Sequence, residues 1–80
     1  MSMTHDIEDR VVNVVARTLK IDPARIQPES RLVEDLGAES MQSVELIAAF
    51  EEEFDIEMDE QGALGVKTVG KAVEFISQYL

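Results

Sequence analysis

Apolar residues recur at helical spacing in three separate stretches of the chain. In the first stretch they fall at every third or fourth position, which places them on one face of an α-helix. Asp6 stands just before this stretch, so we expect it to cap the helix, while Asp9 places negative charge in the first turn. The apolar face consists of Ile7, Val11, Val14, Val15 and Leu19.

Two further helices are predicted in the second half of the chain, one over about Ser40 to Phe54 and one beginning near Thr68, a residue that can cap it. Gly62 and Gly65 lower the helix propensity between them, so we expect one short turn there. The inward-facing residues are predicted to be Met41, Val44, Leu46, Ile47, Ala48, Phe50 and Phe54, then Ile56 and Met58, and finally Val69, Ala72, Val73, Ile76 and Leu80.

Prolines at positions 23 and 28 interrupt the helical pattern after the first stretch. We therefore predict a long ordered loop over residues 20–39, and loops of that length in compact domains are often functional. The predicted fold class is all-α: a small bundle of three main helices and one short helix, in a single domain of residues 1–80. The loop is expected to be pinned to the core by Ile21, Ile26, Leu32, Val33 and Leu36.

Charge is strongly unbalanced along the chain. Seventeen acidic residues against seven basic ones give a formal net charge of −10. No basic residue lies between Arg31 and Lys67, while eleven acidic residues do. Such a surface disfavours binding to nucleic acid and favours partners with basic patches. A solvated acidic surface that aids solubility is the simpler interpretation, and it accounts for most charge runs.

Cysteine usage and hydropathy bear on the compartment. The chain has no cysteine, which fits a reducing compartment and leaves it without a thiol of its own. No apolar run approaches the roughly 20 residues that cross a bilayer, and the first ten residues are polar. We therefore expect a cytoplasmic protein with no membrane span.

The segment from Leu36 to Met41 joins a glycine turn to a helix start. Gly37 can adopt backbone angles closed to other residues, which allows a sharp turn. Ser40 then falls at or beside the first helical position, where unpaired N–H groups and the helix dipole favour an anion. The carboxylates of Asp35 and Glu39 would oppose an anion there. A serine at such a place is more often simply a helix cap.

A hydrolase-type nucleophile at Ser40 is a weaker interpretation. The chain has one histidine, His5, near a terminus where mobility is common. Without a second histidine or a cysteine, a general base for Ser40 is hard to assemble. We expect no catalytic residue.

Residues 34–46, with the sequence EDLGAESMQSVEL, resemble the phosphopantetheine-attachment motif of acyl carrier proteins, in which D-S-L is followed shortly by V-E-L. The similarity continues through residues 50–54 and an acidic loop to Thr68, and it covers nearly the whole chain. Glu39 and Met41 replace the usual aspartate and leucine, which suggests a specialised member of the family. The resemblance implies a carrier that is not an enzyme, with 4′-phosphopantetheine on Ser40, serving fatty-acid or related lipid or polyketide biosynthesis.

The same resemblance implies the partners and the binding surfaces. The partners would be a phosphopantetheinyl transferase and acyl-transferring or synthase enzymes with basic docking patches, acting on a monomer. The second helix would be the recognition element. The implied docking residues are Asp35, Glu39, Met41, Val44, Glu45, Glu51 and Glu52, and the implied lining of an acyl pocket is Phe50, Met58, Ala63, Leu64, Val66, Ala72 and Phe75.

The sequence suggests three alternatives, of which the first two remain open. One is a carrier domain of polyketide or peptide synthesis, and another is an acidic helical adaptor without a prosthetic group. The third is a calcium loop in residues 55–66, where carboxylates alternate at the start. That loop has Glu60 where glycine is needed and Val66 where a bidentate glutamate is needed, so we expect no metal site.

Overall fold

The structure is a computed structural model, and it describes residues 3–80, with side chains from residue 6 onward. The side chain of His5 lies outside the described part. Four α-helices and one 3₁₀ turn follow one another along the chain, which confirms the predicted all-α fold of three main helices and one short one. They are α1 (Met3–Leu19), the 3₁₀ turn (Pro23–Arg25), α2 (Ser40–Phe54), α3 (Glu60–Leu64) and α4 (Val69–Ser77).

The apolar face of α1 forms the centre of the core. Val11, Val14 and Val15 are completely buried, Leu19 is buried, and Ile7 packs against the core at its edge. This face is the one predicted from the spacing. Valine is a weak helix former because its branched side chain loses freedom in a helix. The helix is therefore stabilised mainly by burial of this face against α2 and α4.

Helix α1 starts earlier than its apolar face. It begins at Met3, so Asp6 lies in the first turn and does not cap the helix, and Asp9 lies beyond the first turn. Both predictions for these aspartates were wrong. None of residues 3–5 is proline or glycine, so nothing in the sequence stops the helix at the edge of the apolar stripe.

Helix α2 has the predicted bounds, but its buried face is rotated from the predicted one. Leu46, Phe50 and Phe54 are buried, and they form a row with a spacing of four residues. Met41, Val44 and Ala48, which we expected to face inward, are exposed. The first six residues of α2 include no buried side chain, so this end of the helix projects beyond the core and its apolar side chains face solvent.

The long first connection is ordered by its contacts with the start of α4. The Leu32 N–H donates to the Lys67 carbonyl at 2.9 Å, and the Val69 N–H donates to the Ser30 carbonyl at 3.1 Å. Ile26 and Leu32 are buried, as predicted for residues that pin the loop. Backbone hydrogen bonds to another element explain how a segment with little helix of its own keeps one conformation.

Two apolar residues predicted to face inward lie outside the core. Val33 is 54% exposed because it lies in a tight turn whose neighbour Leu32 already fills the inward position. Leu80 is 60% exposed because α4 ends at Ser77 and the chain leaves the core there. The predicted cap of α4 is confirmed, since the Thr68 hydroxyl accepts a hydrogen bond from the Lys71 N–H at 3.2 Å.

Arg10 joins α1 to the end of α2. Its Nε donates to Glu53 Oε2 at 2.8 Å, and its Nη2 donates to the Glu53 carbonyl oxygen at 2.5 Å. The guanidinium carbon also lies 4.4 Å from the centre of the Phe54 ring. The last turn of α2 contains no basic residue. Arg10 therefore supplies, from another helix, the positive charge that the carboxyl end of a helix favours.

We predict that Arg10→Ala lowers the free energy of unfolding by about 1 kcal/mol, because it removes an ion pair, a helix-end contact and a cation–π contact. For a domain of this size that corresponds to a melting temperature lower by roughly 4–8 °C. Arg17→Ala is the matched control, since Arg17 is an exposed arginine of α1 with no hydrogen bond or ion pair to the described part of the chain. Thermal unfolding with equal losses in both variants would contradict the prediction.

Candidate functional site

Ser40 follows a turn that is anchored to the core by the buried Ala38. Gly37 has a φ of +75°, a left-handed conformation that glycine adopts without strain. The next residue, Ala38, is buried, and its N–H donates to the Leu32 carbonyl at 2.9 Å. The chain then leaves the core, and Ser40 is exposed as the first residue of α2. The anchored alanine therefore fixes the place where the serine emerges.

Ser40 does not cap α2, so the simplest interpretation of this serine does not hold. The capping position belongs to Glu39, whose N–H donates to the side chain of Gln42 at 2.9 Å. Within the described part of the chain, neither the hydroxyl of Ser40 nor the N–H groups of Ser40 and Met41 have a hydrogen-bond partner. An exposed hydroxyl thus lies beside two unused donors at the positive end of a helix dipole, which suits a phosphate group.

Arg31 neutralises one of the two carboxylates that oppose an anion near Ser40. The backbone N–H of Arg31 donates to Asp35 Oδ2 at 2.8 Å, and its guanidinium nitrogens lie 3.2 and 3.3 Å from the two carboxylate oxygens. These hydrogen bonds hold the pKa of the Asp35 carboxyl below its usual range and raise the pKa of the Arg31 guanidinium. Glu39 is left next to Ser40 as a carboxylate with no ion pair in the described part of the chain.

The predicted docking residues form an apolar group and an acidic group. Met41 and Val44, which are 80% and 57% exposed, lie on one side of the first turns of α2. Most of the predicted acidic docking residues are exposed as well, but two are engaged within the molecule. Asp35 is paired with Arg31, and Glu51 accepts a hydrogen bond from the Met58 N–H at 2.8 Å. The exposed docking residues whose side chains have no ion pair in the described chain are Glu39, Met41, Val44, Glu45 and Glu52.

A cavity of about 40 Å³ lies between α2, α3 and α4. That volume is roughly three times what a single water molecule requires. All seven residues predicted for an acyl pocket line it, namely Phe50, Met58, Ala63, Leu64, Val66, Ala72 and Phe75. The structure therefore brings together side chains from three elements that sequence alone could only propose as neighbours.

Sequence reasoning missed five further residues of the cavity lining. Three of them had a signal, since Leu46, Ile47 and Ile76 belong to apolar stripes that were already assigned to the core. Leu32 comes from the first connection, and Ser43 follows Ser40 by three residues, so it lies on the same side of α2. Ser43 therefore brings the cavity lining to within one helical turn of Ser40.

Comparison with known proteins gives three consistent results. Residues 9–76 match the family described as the phosphopantetheine attachment site. The acyl carrier protein of Caulobacter vibrioides is 45% identical over 73 residues, covering 91% of this chain and 94% of the relative, and that of Phenylobacterium zucineum is 44% identical over 75 residues, covering 94% and 95%. A solved structure described as an acyl carrier protein of Mycobacterium tuberculosis superposes with a TM-score of 0.83 at 32% identity, covering 90% of this chain and 96% of that one.

The small helical bundle and the matches, which extend over nearly the whole chain, define a carrier protein of the phosphopantetheine-binding class. The chain belongs to the acyl carrier protein family. It is a carrier and not an enzyme, its prosthetic group is 4′-phosphopantetheine, and it works with transferase or synthase enzymes. Within residues 3–80, no helix combines the length and the apolar character that a membrane crossing requires.

We predict a pH-dependent effect of Asp35→Asn. The folded state holds the pKa of Asp35 below its ordinary value of 3.8, so the ionised carboxylate stabilises the fold at pH values above about 4. That contribution disappears as the pH falls through the folded-state pKa. The asparagine variant should therefore melt below the wild type at pH 7, and the gap should close in acid.

Glu29→Gln is the control for this measurement, because Glu29 is an exposed acid of the same connection without an ion pair in the described chain. Its melting temperature should follow the wild type at every pH. A gap for Asp35→Asn that stays constant from pH 7 to pH 2.5 would show that the Arg31 pair does not stabilise the turn.

Proposed function

We propose that Ser40 is the residue that carries 4′-phosphopantetheine. The observation that carries this proposal is a comparison of the serines. Among residues 3–80, Ser40 is the one serine whose hydroxyl is both exposed and without a hydrogen-bond partner. Ser30 is buried and accepts from the Gln27 N–H, Ser43 is half-buried in the cavity lining, and the Ser77 hydroxyl donates to the Val73 carbonyl.

The residues around Ser40 fit a phosphodiester at that position. The free N–H groups of Ser40 and Met41 can donate to phosphate oxygens. The ion pair of Asp35 with Arg31 reduces the repulsion between the Asp35 carboxylate and a phosphodiester on Ser40. When attached, the group supplies a terminal thiol that holds an acyl chain as a thioester, which explains why the protein can work without cysteine. The protein's own part is to present the hydroxyl to a transferase and afterwards to present the loaded arm to partner enzymes, at an effective concentration set by the length of the arm.

We predict that the wild-type protein gains the mass of one phosphopantetheine when it is incubated with coenzyme A and a phosphopantetheinyl transferase, and that Ser40→Ala gains none. Ser43→Ala is the matched control, since it removes a hydroxyl one helical turn away, and it should be loaded. Intact-mass spectrometry measures all three. No gain in the wild type with any competent transferase, or equal gain in Ser40→Ala, would overturn the proposal and leave an acidic adaptor.

We also propose that the exposed face of α2 forms the docking surface for these enzymes. Met41 and Val44 give apolar contact beside Ser40, and Glu45 and Glu52 are exposed carboxylates on the same helix. A basic patch on the partner would be attracted to a domain of charge −10 and oriented by these residues. Contacts between exposed charges mostly govern the rate of encounter and weaken with salt. Weak, fast contacts suit a carrier that visits several enzymes.

We predict that Glu45→Lys lowers kcat/KM for loading by roughly three- to tenfold at low ionic strength, because a basic partner is then repelled at the docking surface. At 1 M salt, where the Debye length is about 3 Å, the difference from the wild type should largely vanish. Glu74→Lys makes the same change of charge on α4, away from the proposed surface, and should have a smaller effect. A loss of rate that is independent of salt would remove the electrostatic account.

For the cargo, we propose an acyl intermediate of fatty-acid or related lipid or polyketide biosynthesis, stored in part in the cavity between α2 and α4. The apolar lining supports this, and its small volume requires the walls to move before a chain can enter. Glu39 and Met41 support a specialised carrier, and equal loading and elongation by general fatty-acid synthase enzymes would argue against it. The single buried cluster supports one domain, and we propose that it acts as a monomer in the cytoplasm.

A further inference from the structure

The cavity has one wall that is held more weakly than the others. We call residues 58–66 the wall segment, since Met58, Ala63, Leu64 and Val66 from this segment line the cavity. Its helix, α3, has five residues, and none of them is buried. The facing helices α2 and α4 have three and four buried residues. A short element with little buried surface is the part of a fold that opens most readily.

Two side chains hold the start of the wall segment by its backbone. Glu51 of α2 accepts from the Met58 N–H at 2.8 Å, and the hydroxyl of Tyr79, which follows α4, accepts from the Asp59 N–H at 3.0 Å. The two amides are adjacent in the chain, and their acceptors come from the two sides of the cavity. Any outward movement of Met58 and Asp59 must break both hydrogen bonds.

Aromatic contacts link Tyr79 to the cavity itself. The rings of Phe75 and Tyr79 meet edge to face, with centroids 5.5 Å apart and an angle of 63° between the planes. Phe75 lines the cavity, and α3 lies so close to it that a Cβ on Gly62 would be 3.0 Å from the ring. An acyl chain that displaces Phe75 therefore also disturbs Tyr79, whose hydroxyl holds the Asp59 N–H.

We propose that the Glu51 carboxylate and the Tyr79 hydroxyl form a latch on the wall segment, and that this latch sets how long an acyl chain must be before it enters the cavity. The inference rests on the proposed function, because it assumes a chain carried on Ser40. A longer chain gains more from burial of its apolar surface, so it can compensate for two broken hydrogen bonds where a short chain cannot. Glu51 then has an internal role, which separates it from the exposed docking carboxylates.

The latch can be tested first without cargo, by amide hydrogen exchange in the full chain. Glu51→Ala and Tyr79→Phe each remove one acceptor, and the phenylalanine keeps the ring that packs on Phe75. We expect exchange to be about tenfold faster at Met58 in the first variant and at Asp59 in the second. Glu57→Ala is the control, since it removes an exposed carboxylate next to Met58 and should change neither rate by more than about twofold. Unchanged rates in both variants overturn the latch.

The second test uses chains of four to twelve carbons, attached as thioesters to the loaded protein. Entry into the cavity is measured by changes in the NMR chemical shifts of the backbone amides of Ala63, Leu64 and Ala72. We expect shorter chains to enter the cavity in Glu51→Ala and Tyr79→Phe than in the wild type and in Glu57→Ala. At the shortest chain length that enters the wild-type cavity, the ratio of entered to excluded chain should be about tenfold higher in the first two variants than in the wild type. The same threshold in all four proteins overturns the proposal, even if exchange is faster.

Failure of the latch and failure of the proposed function give different results. If intact mass shows the arm on Ser40 but no chain shifts the cavity signals in any variant, the carrier function stands and both the cavity storage and the latch are refuted. If no arm is attached, there is no cargo to admit, and the latch proposal fails together with the carrier function. Thermal unfolding of each variant shows whether a changed signal reflects local opening or loss of the fold.

Discussion

The position of Ser40 depends on how the chain turns between the buried Leu32 and the start of α2. The hydrogen bond from the Ala38 N–H to the Leu32 carbonyl closes this turn, and the left-handed conformation of Gly37 makes the closure possible. With Ala38 buried, the chain must leave the core within two residues, so α2 begins in solvent. The exposed hydroxyl and the unused N–H groups beside it both follow from that geometry.

The acidic character of the domain has two physical roles that composition cannot separate. Some carboxylates work inside the molecule: Asp35 holds the turn through Arg31, and Glu51 holds the backbone of Met58. Others, such as Glu45, are exposed and have no partner in the described chain. The first group contributes to the geometry of the site, and the second remains available to enzymes with basic surfaces. A net charge alone would have assigned both groups to docking.

Much of the fold could be predicted because local signals bound the elements. Prolines and glycines mark the connections, and Thr68 marks the start of α4. The rotation of α2 about its own axis could not be predicted. Its apolar stripe is wide enough to include both Leu46 and Val44, so the sequence does not show which part of the stripe faces the core. Which part faces the core depends on the elements packed against the helix. Here the row that contains Leu46 is buried in the core, and Met41 is left in solvent.

In the candidate site, too, local features could be predicted from the sequence and long-range contacts could not. The serine and its turn could be found from residues 34–46, because the glycine and the helix start are adjacent in sequence. The contact of Arg10 with Glu53 and that of Tyr79 with Asp59 join residues 43 and 20 positions apart, and no periodicity indicates such pairs. Long-range hydrogen bonds of exposed side chains depend on the packed fold, so they can be identified only from the structure.

The most direct test of this account is to locate the added group within the chain. Tandem mass spectrometry of the loaded protein, on a peptide that contains both Ser40 and Ser43, distinguishes the exposed serine at the start of α2 from the half-buried one a turn later. The turn closed by Ala38 predicts phosphopantetheine on Ser40 and an unmodified Ser43. Modification of Ser43, or a peptide without the added mass, would contradict the claim that this turn presents the attachment site.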